Sequence, residues 1–467
     1  MKFGRLKKFK SGHALSTPQS KYWCGGKKVL IFGLGLHGGG AGAASFFARR
    51  LAKVTVTDLK RKQELRPALL KLARFRNISY VLGKHRKEDI IGADIIIKNP
   101  GVPDNSPWLK LARRHIIPVL SDVEIFFKYC PAKIIGITGT KGKSTAAWLL
   151  AKFLRKGGKQ RKVFLAGNIR KSVLEILPFV RARDLVVLEL SSFQLDSLLN
   201  SRVSPKIAVI TNIYPEHLNR YRGFADYAKS KTGIFRFQKR NDRLFINQSD
   251  VFVKKISGGA KSKRVLVDVG KITAPFGSEI DKRYAPHQKS SVALAIAVGR
   301  FLGVSSTTIN MVFKNVRPLS GRLETVYKIG GVTFINDTTA TNPGSAVAAL
   351  KAISERAKGI VLIAGGASKK LPMNDFAKAI TKFAKAVVFL PGNVTHELKL
   401  NVKKQKLKII TRDAKTMREA VGFAYRLAGR GDAVLLSPGA ASFGLFQHEF
   451  DRGEEFVREI KKLHNKI

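Results

Sequence analysis

The chain has 467 residues, 44% of them hydrophobic, and its 86 Lys and Arg against 32 Asp and Glu give a formal net charge of +54. This composition excludes a disordered chain, and the length predicts two or three globular domains. Two cysteines, Cys24 and Cys130, are too few for a disulfide framework or a four-cysteine zinc site, so we expect a reducing, cytoplasmic location.

The positive charge is distributed along the whole chain. Basic runs such as LKKFK, KQRK and NVKKQKLK are scattered from end to end and lack interleaved aromatic residues. Such runs are typical of solvated faces, so we expect no dedicated nucleic-acid partner, although the surface can bind polyanions nonspecifically. The basic N-terminal segment has no apolar core, and glycines interrupt the apolar stretch KVLIFGLGLHGGGAGAASFF, so neither a secretory signal nor a membrane span is expected.

Residues 1–130 are predicted to form the first domain, which starts with a basic tail at residues 1–25. The apolar runs KVLIFGL, KVTVTDL and ADIIIKNPG end at turns, which is typical of strands in a parallel α/β sheet. The first strand runs into GLGLHG and the second ends at Asp58, a pattern typical of a Rossmann-like fold that holds a phosphate-bearing group. On these residues alone, an NAD-linked enzyme is an open alternative.

The second domain, residues 131–316, opens with KIIGITGTKGKST and is predicted to be P-loop ATPase-like. A buried strand, a tight glycine turn and the start of a helix aim several backbone N–H groups at one point, as a polyphosphate requires. Lys143 can then reach the β- and γ-phosphates, and the Ser144 hydroxyl can ligate Mg²⁺. The strands LVVLE and KIAVITNI follow, and each ends in a polar turn.

The third domain, residues 317–467, contains VTFINDTTATNP, GIVLIAGGASKK, AVVFLPG and AVLLSPGAASFG. Each is an apolar strand that runs into a loop, and most of these loops are rich in Gly or Ser. This pattern predicts a second Rossmann-like α/β domain at the C-terminus. The expected fold class is therefore α/β, with three domains in series.

The segments TGTKGKST, ELSSFQLD, TNIYPEHLNRY, YAKSKTGIF, SGRLE, INDTTATNPGSA, GGASK and SPGAASFGLFQHEFDRG occur in this order. Together they resemble the Mur ligase family of ATP-dependent amide-bond ligases, and ELSSFQLD is similar to its glutamate-adding members. The resemblance implies an enzyme of peptidoglycan precursor synthesis that adds D-glutamate to UDP-N-acetylmuramoyl-L-alanine through an acyl phosphate, with UDP bound in the first domain. The alternatives are a related ligase for L-glutamate or another amino acid, a polyanion-binding protein and an NAD-linked protein.

The resemblance also implies roles for individual residues. Catalytic roles are implied for Lys143, Glu189, His217 and Lys231. The residues implied for ATP are Gly139, Thr140, Lys141, Gly142, Lys143, Ser144, Thr145, Arg322 and Asp337. Those implied for the UDP substrate are Leu36, His37, Asp58, Asn99, Pro100, Gly101, Asn168, Ser191 and Gln194. Those implied for glutamate are Thr341, Lys369, Ser442 and Phe443.

ATP and two Mg²⁺ ions are the implied cofactors, and we expect a monomer. The implied metal ligands are Ser144, Glu189, His217 and, once carbamylated by carbon dioxide, Lys231, for which Lys229 is a rival. The chain departs from the usual family pattern at Lys141 in place of Asn, at Glu216 or Asn219 in place of Asp, at Thr338-Thr339 in place of Ser-Lys, and at HQKSS in place of H-N-x-x-N. The departures at Thr338-Thr339 and HQKSS leave open a lowered affinity for ATP.

Overall fold

The computed structural model describes residues 24–36, 38–158, 161–169, 171–217, 220–316, 319–405, 409–442 and 444–465. Residues 1–23 of the predicted basic tail, and the predicted site residues His37 and Phe443, lie outside the described residues. The chain divides into two compact units. The first contains the chain up to Glu216, Arg222–Ala274 and Ser290–Ile309, and the second contains His217–Tyr221, Pro275–Lys289 and the chain from Asn310 onward.

The first sheet is parallel, with strand order β3-β2-β1-β4-β5. Its strands are β1 Lys28–Phe32, β2 Lys53–Asp58, β3 Ile78–Leu82, β4 Ile95–Lys98 and β5 Val119–Leu120. The helices between and after them are α1 Gly39–Ala48, α2 Lys62–Leu72, α3 Lys87–Ile91, α4 Pro107–Arg114 and α5 Asp122–Tyr129. Strand order reverses beside β1, and such a point is where open α/β sheets bind ligands.

The second sheet belongs to the same unit and is also parallel, with order β11-β10-β9-β6-β8-β7. Its strands are β6 Lys133–Thr138, β7 Val163–Gly167, β8 Leu185–Glu189, β9 Ile207–Ile210, β10 Arg243–Asn247 and β11 Lys263–Val267. The helices of this part of the chain are α6 Lys143–Gly157, α7 Val173–Ile176, α8 Ser192–Ser201, α9 Phe224–Thr232, α10 Val251–Ile256, α11 Val269–Thr273, α12 Gly277–Arg283, α13 Lys289–Phe301 and α14 Ser306–Asn315. Strand β8 is buried along its whole length, as continuous apolar runs in a parallel sheet usually are.

Helices of the first sheet pack directly on helices of the second sheet. Helix α5 contacts α7 and α8, and α1 also contacts α7. The Ser201 hydroxyl of α8 donates a hydrogen bond to the Glu124 carboxylate of α5. The two sheets of the first unit are therefore held together by side-chain packing and by at least this polar contact.

The third sheet lies in the second unit, with order β12-β13-β17-β14-β15-β16, and only the β12–β13 pair of this sheet is antiparallel. Its strands are β12 Glu324–Ile329, β13 Val332–Asn336, β14 Ile360–Ala364, β15 Ala386–Phe389, β16 Ile410–Asp413 and β17 Ala433–Leu436. Its helices are α15 Pro343–Ser354, α16 Asn374–Phe383, α17 Thr395–Lys404, α18 Met417–Leu427 and α19 Glu449–His464. Two apolar clusters bury its faces.

The predicted α/β class with parallel sheets is confirmed. The domain limits at 130 and 316 stay a prediction. Within the described part of the chain, no helix has both the length and the apolarity needed to cross a membrane.

Candidate active site

The phosphate loop predicted from GTKGKST connects β6 to α6. Gly139 and Gly142 have φ values of 150° and 78°, which L side chains rarely adopt. A Cβ atom at either position would also lie 1.9 Å from a hydroxyl oxygen, that of Thr211 or of Ser291. The loop therefore requires glycine at both positions, for its backbone conformation and for space.

The loop is fixed to the end of β9 by hydrogen bonds. The backbone N–H groups of Thr140 and Lys141 donate to Asn212 O and Asn212 Oδ1, both at 2.9 Å. The Thr140 hydroxyl lies 3.0 Å from the Tyr227 hydroxyl. Lys143 Nζ donates to the carbonyl oxygens of Gly139 and Thr140, at 2.9 and 3.1 Å. The ammonium group therefore lies over the loop, where a phosphate-binding lysine is needed.

Glu189 ends β8, the neighbour of β6, and is 2% exposed. Its Oε1 atom accepts a hydrogen bond of 2.9 Å from Asn168 Nδ2. Its Oε2 atom is buried and has no hydrogen-bond partner among the described residues. A buried carboxylate oxygen without a donor is costly, and a cation would compensate it. This oxygen fits the predicted Mg²⁺ ligand.

Lys231 lies on α9 with 1% of its surface exposed, whereas its rival Lys229 is exposed. Burial, together with the nearby charge of Lys143, lowers the pKa of Lys231 well below its ordinary value. The carboxylates of Glu216, Asp196 and Glu189 act in the opposite direction. The structure therefore brings the predicted residues Lys143, Glu189 and Lys231 into one electrostatic cluster.

The remaining predicted metal ligands are Ser144 and His217. Ser144 is buried in the first turn of α6. His217 begins the segment His217–Tyr221 of the second unit and has a left-handed backbone, with φ of 57°. No group of three or more His, Cys, Asp or Glu side chains converges within the described ranges. The metal site therefore stays a prediction, with Ser144 and Glu189 as residues that offer oxygen to an ion.

A small cavity, with room for about one water molecule, lies at the predicted UDP site of the first sheet. Gly33, Gly39, Asn99 and Pro100 line it, together with Asp122, which the sequence did not suggest. Asn99 and Pro100, two residues that are predicted to bind UDP, therefore lie beside the glycine-rich turn that follows β1.

Other predicted UDP residues have local structural partners. Asp58 Oδ2 accepts hydrogen bonds from the backbone N–H groups of Leu34 and Gly35, at 2.8 and 3.0 Å, and so closes the glycine turn. Ser191 and Gln194 form a capping box at the start of α8, in which the N–H of Ser191 donates to Gln194 Oε1 at 3.0 Å. Binding roles for these three residues stay predictions, as do those of Leu36, Gly101 and Asn168.

In the second unit, the loops after β13, β14 and β17 lie side by side. Lys369 Nζ donates to Thr341 Oγ1 at 2.8 Å, so two of the residues that are predicted to bind glutamate contact each other directly. Ala367 and Ala441 exchange backbone hydrogen bonds of 2.8 and 3.0 Å, which places Ser442 beside the loop that carries Lys369. The three described glutamate-binding candidates are therefore brought together.

The predicted ATP contacts Arg322 and Asp337 also lie on adjacent loops of the second unit. The N–H of Leu323, next to Arg322, donates to Asp337 Oδ1 at 3.2 Å. Asp337 Oδ2 accepts a hydrogen bond of 2.8 Å from the Ser437 hydroxyl.

Three contacts in these sites were not predicted from the sequence. Lys141 Nζ lies 3.0 Å from Glu216 Oε1, which forms an ion pair from two departures from the family pattern. Asn212 accepts hydrogen bonds from the phosphate loop. The sequence could have indicated this role, because Asn212 directly follows a predicted strand in TNIYPE. Arg452 lies under the loop after β13, and no motif indicated its role.

Comparison with known proteins places these features in a family. The model of a Mur ligase MurD-like N-terminal domain matches residues 27–121, that of a Mur ligase middle domain matches 137–295, and that of a Mur ligase glutamate ligase domain matches 321–439. The UDP-N-acetylmuramoylalanine–D-glutamate ligase of Roseiflexus sp. is 38% identical over 94% of this chain and 99% of its own length. The protein of the same name from Borreliella burgdorferi is 34% identical over 93% and 97%.

Two solved structures share the fold. The UDP-N-acetylmuramate–alanine ligase MurC of Thermotoga maritima has a TM-score of 0.63 at 17% identity, covering 94% of this chain and all of its own. The MurF ligase of the same organism, solved in complex with ADP, has a TM-score of 0.57 at 16% identity, covering 88% and 95%. At these identities the likeness concerns the fold alone.

Proposed function

Because the chain belongs to the Mur ligase family, we propose that it joins D-glutamate to UDP-N-acetylmuramoyl-L-alanine in an ATP-dependent step of peptidoglycan precursor synthesis. The observation that carries this proposal is the glycine loop at residues 139–142, which lies beside the buried Glu189 carboxylate at one edge of a parallel sheet. The name of the relative that is 38% identical over 94% of the chain supports the choice of substrate.

In the proposed reaction, the alanyl carboxylate attacks the γ-phosphorus of ATP and ADP leaves, which gives an acyl phosphate. The glutamate amine then attacks the carbonyl carbon of this intermediate, inorganic phosphate leaves, and the nitrogen loses a proton. Negative charge is spread over the transferring phosphoryl group, so cations and aimed N–H groups stabilise the transition state. Lys143 and the N-terminal end of α6 would supply both.

Mg²⁺, when bound, would neutralise phosphate charge and hold the phosphoryl group in line. Ser144 and Glu189 would hold it, because both offer oxygen and Glu189 Oε2 lacks a hydrogen-bond donor among the described residues. His217 stays a predicted ligand. We also propose that a second Mg²⁺ ion binds at this site.

We further propose that Lys231, and not Lys229, is carbamylated. A neutral amine adds carbon dioxide, and burial lowers the pKa of Lys231 well below the usual lysine range, whereas the Lys229 side chain is exposed to water. Incubation with ¹³C-bicarbonate should give a carbamate resonance in the wild type and in Lys229→Gln. The resonance should be absent in Lys231→Gln; its loss in Lys229→Gln instead would reverse the assignment.

The amino acid would bind among the loops after β13, β14 and β17. A dicarboxylate needs a cation and several donors, and Lys369, Thr341 and Ser442 offer these together. The UDP end would bind beside Asn99 and the start of α1, where backbone N–H groups favour a diphosphate. Both free cysteines and a sugar-nucleotide substrate favour a cytoplasmic location, and we propose a monomer, which sedimentation would test.

The test is phosphate release from ATP with UDP-N-acetylmuramoyl-L-alanine and D-glutamate, L-glutamate or no amino acid. Release with D-glutamate only is expected. Release with L-glutamate only would keep the mechanism and change the substrate, and no stimulation by either would refute the ligase assignment. Lys143→Ala should lose the activity, and Lys229→Gln should retain it.

A further inference from the structure

Arg452 is a deeply buried cation of the second unit, with 1% of its surface exposed. It lies in the first turn of α19, in the sequence EFDRGEEF. Arginine is almost never buried to this degree unless its charge and its donors are satisfied. Burial lowers its pKa to about 10, so the guanidinium remains a cation at neutral pH.

The guanidinium connects two loops of the proposed site. Its Nε and Nη2 atoms donate to Thr338 Oγ1 at 3.1 Å and to Thr338 O at 2.8 Å, on the loop after β13. Its Nη1 atom donates to Ala440 O at 3.2 Å, on the loop after β17. These loops are the ones that carry Thr341 and Ser442. A planar fork of donors can join two loops in this way, and a lysine ammonium cannot reproduce it.

The surroundings of Arg452 fit this junction tightly. The Thr338 hydroxyl, which accepts from Nε, donates in turn to Glu449 O at 2.5 Å. A Cβ atom at Gly453 would lie 2.6 Å from Thr338 Cγ2, so the start of α19 packs directly beneath the loop. The N–H of Gly439 also donates to Ala340 O at 2.9 Å, which joins the same two loops at a second point.

We propose that Arg452 is a positioning residue for the amino-acid substrate. It holds the loops after β13 and β17 in register, so that Thr341 and Ser442 lie close enough to bind one ligand. The inference rests on the proposed function, since glutamate is the ligand assigned to these loops.

The test compares Arg452→Lys with Arg50→Lys. Arg50 is a matched control in the first unit, because it is 5% exposed, its Nη1 donates to Phe46 O at 3.0 Å, and burial also lowers its pKa to about 10. Arg452→Lys should raise the KM for D-glutamate about tenfold or more, with the KM for the UDP substrate unchanged. Arg50→Lys should lower the thermal midpoint without changing either KM. Equal KM values for D-glutamate in the two variants would overturn the proposal.

A second measurement does not depend on turnover. Hydrogen exchange at the amides of Asp337, Ala340 and Gly439 should be faster in Arg452→Lys than in the wild type, and unchanged in Arg50→Lys. Unchanged exchange in Arg452→Lys would overturn the proposal even if the wild type is an active ligase. Wild-type protein that shows no glutamate-dependent turnover would refute the proposed function instead. If Arg452→Lys fails to fold, Thr338→Val removes one acceptor and should change KM and exchange in the same direction, and no change would overturn the proposal.

Discussion

Asp122 has a buried carboxyl group at the start of α5. We expect its ionised form to lower the free energy of unfolding. It is 6% exposed, and its Oδ1 atom accepts a hydrogen bond of 2.9 Å from the N–H of Val123. Burial, with a smaller contribution from the nearby Glu124, raises the pKa of Asp122 from 3.8 to about 6. The native state therefore binds this proton more tightly than the unfolded chain does.

The sign and size of the effect follow from linkage. Well below pH 3.8 the carboxyl is protonated in both states and has no cost, near pH 4 the cost is still small, and well above pH 6 the carboxyl is ionised in both states and the native state bears the full cost. At 1.36 kcal/mol per pH unit, the cost is on the order of 3 kcal/mol. Asp122→Asn is neutral at every pH and keeps an oxygen for Val123, so it should stabilise the protein at pH 8 and not at pH 4.

The assay is thermal unfolding of wild type and Asp122→Asn at both pH values. With about 2 °C per kcal/mol for a unit of this size, the midpoint should rise by about 6 °C at pH 8. Asp184→Asn is the matched control, because Asp184 is also buried but both its oxygens accept backbone N–H groups, those of Lys162 at 3.1 Å and Arg181 at 2.8 Å. That control should lose stability at pH 8. The same change in midpoint at pH 4 and pH 8 for Asp122→Asn would refute the reasoning.

The remaining predictions concern the phosphate loop and the net charge. Lys143→Ala should lower kcat/KM for ATP by about 10²-fold or more, with an unchanged thermal midpoint, and steady-state kinetics that show a smaller loss would contradict its placement over the loop. Lys141→Asn and Glu216→Asp should be coupled by about 0.5–1 kcal/mol in urea unfolding, since the pair is partly exposed, and additive effects would contradict the ion pair. Because the net charge is +54, kcat/KM for the anionic substrates should fall as ionic strength rises, and a flat salt dependence would contradict steering.

The phosphate loop could be predicted from the sequence because its geometry is local. The strand, the two glycines with positive φ and the helix start all lie within a few residues of one another, so their order alone fixes the direction of the N–H groups. The capping box of Ser191 and Gln194 is equally local, since S-x-x-Q is its usual signature. The family resemblance, however, implied that the same two residues bind the UDP substrate. The same letters can serve a structural role and a binding role, so the capping box leaves the binding role of these two residues a prediction.

The contacts that could not be predicted from the sequence join residues that are far apart in the chain. Arg452 reaches Thr338 across 114 residues, and Lys141 reaches Glu216 across 75. Lys141 was recognised within the phosphate loop and Arg452 within the segment SPGAASFGLFQHEFDRG, but neither motif indicated which distant residue its side chain would contact. Burial distinguishes Arg452, which is 1% exposed, because a charge removed from water must have partners, whereas the Lys141 side chain remains 35% exposed.

The ion pair of Lys141 and Glu216 joins two residues that were noted as departures from the family pattern. A lysine within the phosphate loop, where Asn is usual, adds a cation beside backbone groups that already favour anions. Glu216 places its carboxylate 3.0 Å from that ammonium group, with only 9% of the glutamate side chain exposed, and so balances the charge within the first unit. Glutamate is one methylene longer than aspartate and extends its carboxylate farther from the backbone. The carboxylate of Glu216 therefore compensates the cation that Lys141 adds to the loop.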